Sequence, residues 1–296
     1  MTHTPRSFSL PNDPERRQAL HTEVLAMIEK QAVEPSAPDS PGFYSILFVV
    51  PKASGGWRPV IDLSALNKYL KIPTFKMETS EVIRHSMPQN AWVTTIDLKD
   101  AYFHVPMRQE MMKYLRFCYQ GKVWQFRALP FGLSTAPWIF SMCVRELEVL
   151  AHRKGIQINQ YLDDWLIRHS SPEILLRQTQ WVVDLCTKMG FKLNTKKSDL
   201  SPRQNFVFLG YQFRTTLTSV FPTEERVSKL FELSQKFMGL HPQPASLWLS
   251  LLGTLAATEK LFPMGRLHMR ALQHDLQSQW SQATGNMHQL VTISPQ

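Results

Sequence analysis

Asn159-Gln160-Tyr161-Leu162-Asp163-Asp164-Trp165-Leu166-Ile167 decides how this chain is read. Ile156 to Tyr161 and Trp165 to Ile167 have the apolar, aromatic character of two short strands. The tight turn between them, at Leu162-Asp163, lifts two carboxylates to its tip. A second stretch, Val93-Thr94-Thr95-Ile96-Asp97-Leu98, runs just as directly from a hydrophobic strand into acid. Carboxylates at the ends of buried strands are costly, because they lose hydration and repel one another. Hard divalent ions with oxygen ligands, Mg²⁺ above all, remove that cost. Two such ions about 4 Å apart form the clamp used in phosphoryl and nucleotidyl transfer. A single aspartate is more often a turn or cap residue; two hydrophobic strands leading into three of them, together with the intact flanking blocks described below, reverse that reading.

Outward from this centre the spacing predicts a helix over 14–33, with Asp13 as N-cap and Leu20, Val24, Met27 and Ile28 on one face. A Pro/Ser loop is expected from Glu34 to Gly42. Ile46 to Val50 and Arg58 to Asp62 flank a glycine turn and read as a hairpin carrying Lys52 and Arg58 near its tip. Helices are expected over 78–88, 135–153 and 172–189, the last ending at Gly190. A strand is expected over 91–97 and a hairpin between Arg116 and Ala128 turning at Gln120-Gly121. Phe206 to Phe213 reads as one strand, followed by Pro-punctuated helices to about residue 282 and a frayed tail.

Bulk properties agree. A chain of 296 residues with 43 % hydrophobic content has enough apolar surface for a real core, which excludes a disordered chain. The excess of 33 basic over 24 acidic residues, a net charge of +9, suits a polyanionic partner. Cys118, Cys143 and Cys186 form no CxxC and the ten histidines no HxxxH, so structural zinc is not expected and a reducing compartment is. Without a signal-peptide core or a long apolar run, the expectation is a soluble cytoplasmic or nuclear protein, not secreted and not in a membrane. Gly55-Gly56 is too short for a phosphate-cradling loop. Met107, Met111 and Met112 read as packing or as cover over the hairpin.

Taken in order, the blocks are Lys52…Gly-Gly-Trp-Arg58-Pro-Val-Ile-Asp-Leu…Leu-Asn67, Asp97-Leu-Lys-Asp-Ala-Tyr102, Leu-Pro130-Phe131-Gly132-Leu-Ser-Thr-Ala-Pro137, Tyr161-Leu-Asp163-Asp164, Gly190-Phe…Lys196-Lys197 and Phe208-Leu-Gly210-Tyr. Together, across roughly residues 40–215, they resemble a reverse transcriptase. Trp165 after the two aspartates and the tail Gly265-Arg-Leu-His-Met-Arg270 resemble the DIRS-type (tyrosine-recombinase) retrotransposons, with Ty3/gypsy elements second.

The resemblance implies roles position by position. Asp97, Asp163 and Asp164 are the expected metal-holding carboxylates for two Mg²⁺ ions, with Mn²⁺ a possible substitute. Lys52 and Arg58 would meet the triphosphate, Arg as a fork and Lys as a point charge. Tyr102 would be a steric gate against a 2′-hydroxyl, with core packing as the competing reading. Phe131, where retroviruses carry glutamine, would be a platform, and Gly132 would allow close approach of nucleotide and template. Lys197, ranked above Lys196, is the candidate general acid for pyrophosphate, with a basic loop touching phosphate as the alternative. Tyr161 would contact primer or template, as would Leu209, Gly210 and Tyr211, which resemble the hairpin that grips the primer end, with strand core as the alternative.

The implied architecture is an α+β right hand, with fingers over 1–72 and 105–135, palm over 73–104 and 136–216, and thumb over 217–296, its tail possibly disordered. The palm would be a small antiparallel sheet packed on helices. The implied activity is addition of deoxynucleoside triphosphates to a primer on an RNA or DNA template. After residue 200 the acids Glu224, Glu225, Glu232, Glu259 and Asp275 are expected on polar helix faces and supply no RNase H site. That function and recombinase would come from other parts of a parent element. The contrasting reading is a catalytically silent, domesticated or fragmentary retroelement protein that binds nucleic acid.

Overall fold

The structure is a computed structural model and describes residues 12–37, 41–52, 55–239, 241–282 and 285–294. Helix α1 (Pro14–Glu29) starts at Asp13, whose carboxylate accepts the Glu15 N–H, and buries Leu20, Val24 and Met27. It stops short of the predicted residue 33 because Gln31 turns left-handed (φ 55°) and the Ala32 N–H returns to the Met27 carbonyl. Strand β1 (Val33–Ser36) follows where a loop is expected. Its backbone pairs antiparallel with a later strand, Val33 opposite Phe126, a long-range partner that local composition does not reveal.

Strands β2 (Leu47–Pro51) and β3 (Trp57–Ile61) form the expected hairpin, Val50 opposite Arg58. Short helices α2 (Ser64–Asn67) and α3 (Ser80–Ser86) precede β4 (Trp92–Asp97). After α4 (Gln109–Met112) come β5 (Arg116–Tyr119) and β6 (Lys122–Phe126), which turn at Gln120-Gly121 and complete the sheet β1-β6-β5. Helix α5 (Ala136–Arg153) leads into β7 (Gln157–Tyr161) and β8 (Asp164–His169), and α6 (Pro172–Lys188) into β9 (Asp199–Arg203). The four-stranded sheet runs β7-β8-β4-β9. Its inner residues Val93, Ile96, Trp165, Leu166 and Ile167 are almost fully buried. A buried hydroxyl pair, Thr94 to Thr179 at 2.7 Å, ties β4 to α6.

The predicted single strand over 206–213 is instead a hairpin. Strands β10 (Asn205–Phe208) and β11 (Tyr211–Arg214) meet at Leu209-Gly210, both at positive φ as a two-residue hairpin loop requires. Strand β12 (Ser219–Pro222) completes that sheet. The chain continues through α7 (Glu224–Phe237), β13 (Gln243–Pro244), α8 (Ala245–Ala256), α9 (Gly265–His268), α10 (Arg270–Gln279) and β14 (Leu290–Val291). Leu233, Phe237, Trp248, Leu251, Leu276, Trp280 and Val291 form one apolar cluster.

Where a frayed tail is expected, the described residues 285–294 include a short strand, β14. β14 pairs with β13, the Trp248 indole donates to the Val291 carbonyl at 3.2 Å, and Val291 is fully buried in that cluster. Asp275 is likewise not on a polar face. It is buried and accepts the Ser294 N–H, since the returning tail covers it.

Two compact units emerge: residues 1–77, 94–167 and 173–200, and residues 78–93, 168–172 and 201–296. Among the described residues no helix is long and apolar enough to cross a membrane.

Candidate active site

The first unit carries the acidic centre. β4 ends at Asp97, and in the neighbouring strand β8 begins at Asp164 after a turn in which Leu162 adopts φ 53°. The Leu98 N–H donates to the Asp163 carbonyl at 2.9 Å, so the two acid-bearing ends are fastened side by side. Trp165 follows the acids and is fully buried; its indole N–H donates to the Leu162 carbonyl at 2.8 Å and braces the turn.

Electrostatics follow from this crowding. Burial pushes the Asp164 carboxyl up to about 6, and the charges of Asp163 and Asp97 add to the rise. Asp163 is raised as well, first by burial and then by Asp97, against the opposing pull of Lys197 and Arg58. The site therefore holds more negative charge than its cations offset. Its donors are carboxylate oxygens, without sulfur or imidazole, which fits a hard divalent ion in chemistry. Among the described residues no three acidic, His or Cys side chains already surround a common point, so the fit rests on donor type and uncompensated charge.

Lys197 lies with its Nζ 3.7 Å from Asp97 Oδ2, whereas Lys196 is exposed with its side chain in solvent. The loop that carries them is attached to β4 by backbone and side-chain bonds: the Asn194 N–H donates to the Asp97 carbonyl at 2.8 Å, and the Asp97 N–H donates to Ser198 Oγ at 3.0 Å.

An aromatic floor adjoins the acids. Tyr102 sits in a 3-10 turn over Ala101–His104 and is 8 % exposed, its ring 4.8 Å from Phe131 and 5.6 Å from Phe140. Its hydroxyl is pushed up to about 12 by burial, then by the Asp163 charge and by Tyr161. Tyr102 packs in the core, the competing reading, and is close enough to Asp163 to feel its charge. The Arg58 guanidinium stands 5.9 Å over the Phe131 ring. Lys52 is exposed at the end of its hairpin, where its N–H donates to the Gly56 carbonyl.

Gly132 has φ 103°, and a Cβ there would lie 2.5 Å from the Ile61 carbonyl oxygen, so only glycine fits against β3. Asn67 holds this turn from both sides. Its amide donates to the Gly132 carbonyl and its Oδ1 accepts the Ser134 N–H, each at 2.9 Å. Sequence reasoning assigned roles to neither Asn67 nor Ser198. Their partners lie far along the chain, and no spacing rule links them.

Leu209, Gly210 and Tyr211 belong to the second unit. There the Tyr211 hydroxyl donates to the Ala257 carbonyl at 2.6 Å, and the Arg226 guanidinium stacks 4.9 Å over the Tyr211 ring. A Cβ on Gly210 would meet Arg226 Nη2 at 2.5 Å.

With this geometry in view, the comparisons define the class. The chain belongs to the reverse transcriptase (RNA-dependent DNA polymerase) family, whose profile matches residues 50–213, more than half of its length. It is 28 % identical over 165 residues to the Pro-Pol polyprotein of simian foamy virus type 1, covering 56 % of this chain and 14 % of that one. It is 25 % identical over 230 residues to the Transposon Tf2-3 polyprotein of Schizosaccharomyces pombe, covering 78 % and 16 %. Against the Gag-Pro-Pol polyprotein of human T-cell leukemia virus 3 the figures are 29 % over 210 residues, covering 67 % and 14 %. The chain thus spans a small part of these curated relatives.

Among solved structures, the foamy viral protease-reverse transcriptase in complex with dsDNA superposes with a TM-score of 0.79 at 20 % identity, covering 100 % of this chain and 57 % of that chain. The same protein with an RNA/DNA hybrid gives 0.76 at 19 %, covering 100 % and 37 %. These likenesses establish the α+β fold.

Proposed function

We propose that the chain is an RNA-directed DNA polymerase that adds deoxynucleotides to a primer 3′-OH on an RNA or DNA template. The observation that carries this is the fastening of Asp97 beside Asp163-Asp164 at one end of a buried sheet, in a chain of the reverse transcriptase family. Asp97, Asp163 and Asp164 would hold two Mg²⁺ ions, or Mn²⁺ in their place. Bound there, the ions would acidify the primer hydroxyl and neutralise charge on the leaving pyrophosphate. Arg58, held over Phe131, orients the triphosphate, and Tyr102 closes the space beneath the sugar. Lys197 would deliver a proton to the leaving group, a role supported by its Nζ lying 3.7 Å from Asp97 Oδ2. Lys52 contributes a charge from the hairpin end, and Gly132 lets the nucleotide and template approach the backbone.

Tyr161 and the Leu209-Gly210-Tyr211 turn are assigned to primer and template. Fingers, palm and thumb are assigned as the sequence implies. A DIRS-type parent is favoured by Trp165 after the paired acids and by Gly265-Arg-Leu-His-Met-Arg270. RNase H and recombinase functions fall to other parts of that parent.

The test is extension of an oligo(dT) primer on poly(rA) with Mg²⁺. Incorporation is expected for the parent and abolished in Asp163→Asn, which keeps its fold and its template affinity. Unchanged extension in that variant refutes the assignment. A folded parent that binds template and incorporates nothing is instead the silent nucleic-acid binder that the net charge of +9 also accommodates.

A further inference from the structure

Asp97 is held from two directions, and one of them includes a side-chain hydroxyl. On the β8 side the backbone is satisfied conventionally, the Leu98 N–H donating to the Asp163 carbonyl. The Asp97 N–H points the other way, as alternation along a strand requires. There it donates to the Ser198 Oγ at 3.0 Å, just before β9 begins at Asp199. The same hydroxyl lies 3.5 Å from the Asp97 carbonyl oxygen and donates to it. Asn194 supplies the rest of the fastening, its N–H donating to the Asp97 carbonyl at 2.8 Å and its own carbonyl accepting the N–H groups of Lys197 (3.1 Å) and Ser198 (2.9 Å).

We infer that Ser198 is a positioning residue that clamps the Asp97 backbone through its hydroxyl, and so fixes both the Asp97 carboxylate and the Lys197 ammonium 3.7 Å from it. Two properties of the side chain matter. It must carry an oxygen that accepts, because an amide in a residue only 8 % exposed has no water to replace the bond. It must also be short, because one oxygen reaches both the N–H (3.0 Å) and the carbonyl (3.5 Å) of Asp97. Ser198 neighbours Lys197 in sequence, so releasing it frees the loop that presents the lysine as well as the strand end that presents the acid. The inference rests on the polymerase reading of Asp97 for its catalytic consequence, but the clamp is a separate structural claim.

The test compares Ser198→Ala with Ser198→Thr, which keeps the hydroxyl. Ser198→Ala is expected to lower kcat for single-nucleotide incorporation about 10–100-fold, the range for partners that orient a metal's ligands. The Mg²⁺ concentration at half-maximal rate should rise, while the KM for primer-template and the melting temperature stay near the parent values. Ser198→Thr should recover most of the loss. Amide hydrogen exchange, read without substrate or metal, should show Asp97 losing protection in the alanine variant and keeping it in the threonine variant.

If Ser198→Ala does not fold, Ser198→Cys, nearly the same size with a weak acceptor, takes its place with the same expected losses. Parent-like kcat and Mg²⁺ dependence in the hydroxyl-free variant overturn the inference, as does equal impairment of both variants. If the parent incorporates nothing, the polymerase reading fails alone, and unchanged Asp97 exchange still overturns the clamp.

Discussion

Lys197 Nζ stands 3.7 Å from Asp97 Oδ2, the ammonium largely in solvent and the carboxylate largely out of it. An ion pair so exposed on one side adds little to stability. Its weight is functional, because Lys197 also opposes the excess negative charge on Asp163 and Asp164.

Replacing Lys197 by leucine is therefore expected to slow incorporation about 100-fold, within the range for loss of a general acid, and to flatten the alkaline limb of the rate-pH profile. Lys196→Leu should stay within a few-fold of the parent. Single-turnover incorporation measured across pH distinguishes them, and equal losses in both would assign the loop to simple phosphate contact.

Asp164→Asn should stabilise the metal-free protein at neutral pH. The native carboxyl, pushed up to about 6 from an ordinary 3.8, binds its proton more tightly than the unfolded chain does. Below the lower value both states are protonated and nothing is gained. As pH rises through this window the native state is penalised relative to the unfolded one, and the penalty is complete above the upper value. The melting-temperature difference between Asp164→Asn and the parent should thus grow as pH rises from 4 to 7. A difference that is flat with pH contradicts the crowding.

Gly132→Ala forces a side chain into a left-handed backbone position and against the Ile61 carbonyl. Backbone strain alone costs about 1–3 kcal/mol, and the clash adds to it. Urea denaturation should show a midpoint well below the parent's, and an unshifted midpoint would mean that the 131–134 turn relaxes freely.

Tyr102→Val removes the ring between Phe131 and the acidic turn. Preference for deoxy- over ribonucleotides, taken as the ratio of kcat/KM values, should fall about 10–100-fold, the scale on which a pocket discriminates by size. Tyr102→Phe should keep the preference. If Tyr102→Val also keeps it, the ring is packing alone.

The paired strands ending in acid were legible because two local signals coincide there, hydrophobic patterning and a charged turn. The hairpins turning at Gly55-Gly56 and at Gln120-Gly121 were legible for the same local reason. Strand β1 was not, since Val33–Ser36 contains a proline and a glutamate and becomes a strand only by pairing with β6. The hairpin at Leu209-Gly210 was hidden from the hydrophobic pattern, where leucine at positive φ carries no mark, and was expected only through the family resemblance. Asp275 and Val291 were misplaced because each depends on the tail folding back. Ser198 and Asn67 act by side-chain bonds to distant backbone, which a linear pattern cannot display.

The indole of Trp165, hydrogen-bonded to the carbonyl of the residue just before the paired acids, makes the turn its own optical probe. A charge arriving at 163–164 alters the field across that ring and shifts its fluorescence. With eight tryptophans in the chain, subtracting the spectrum of Trp165→Phe isolates the signal. Occupancy of the acidic turn can then be followed by emission alone, with neither primer nor turnover.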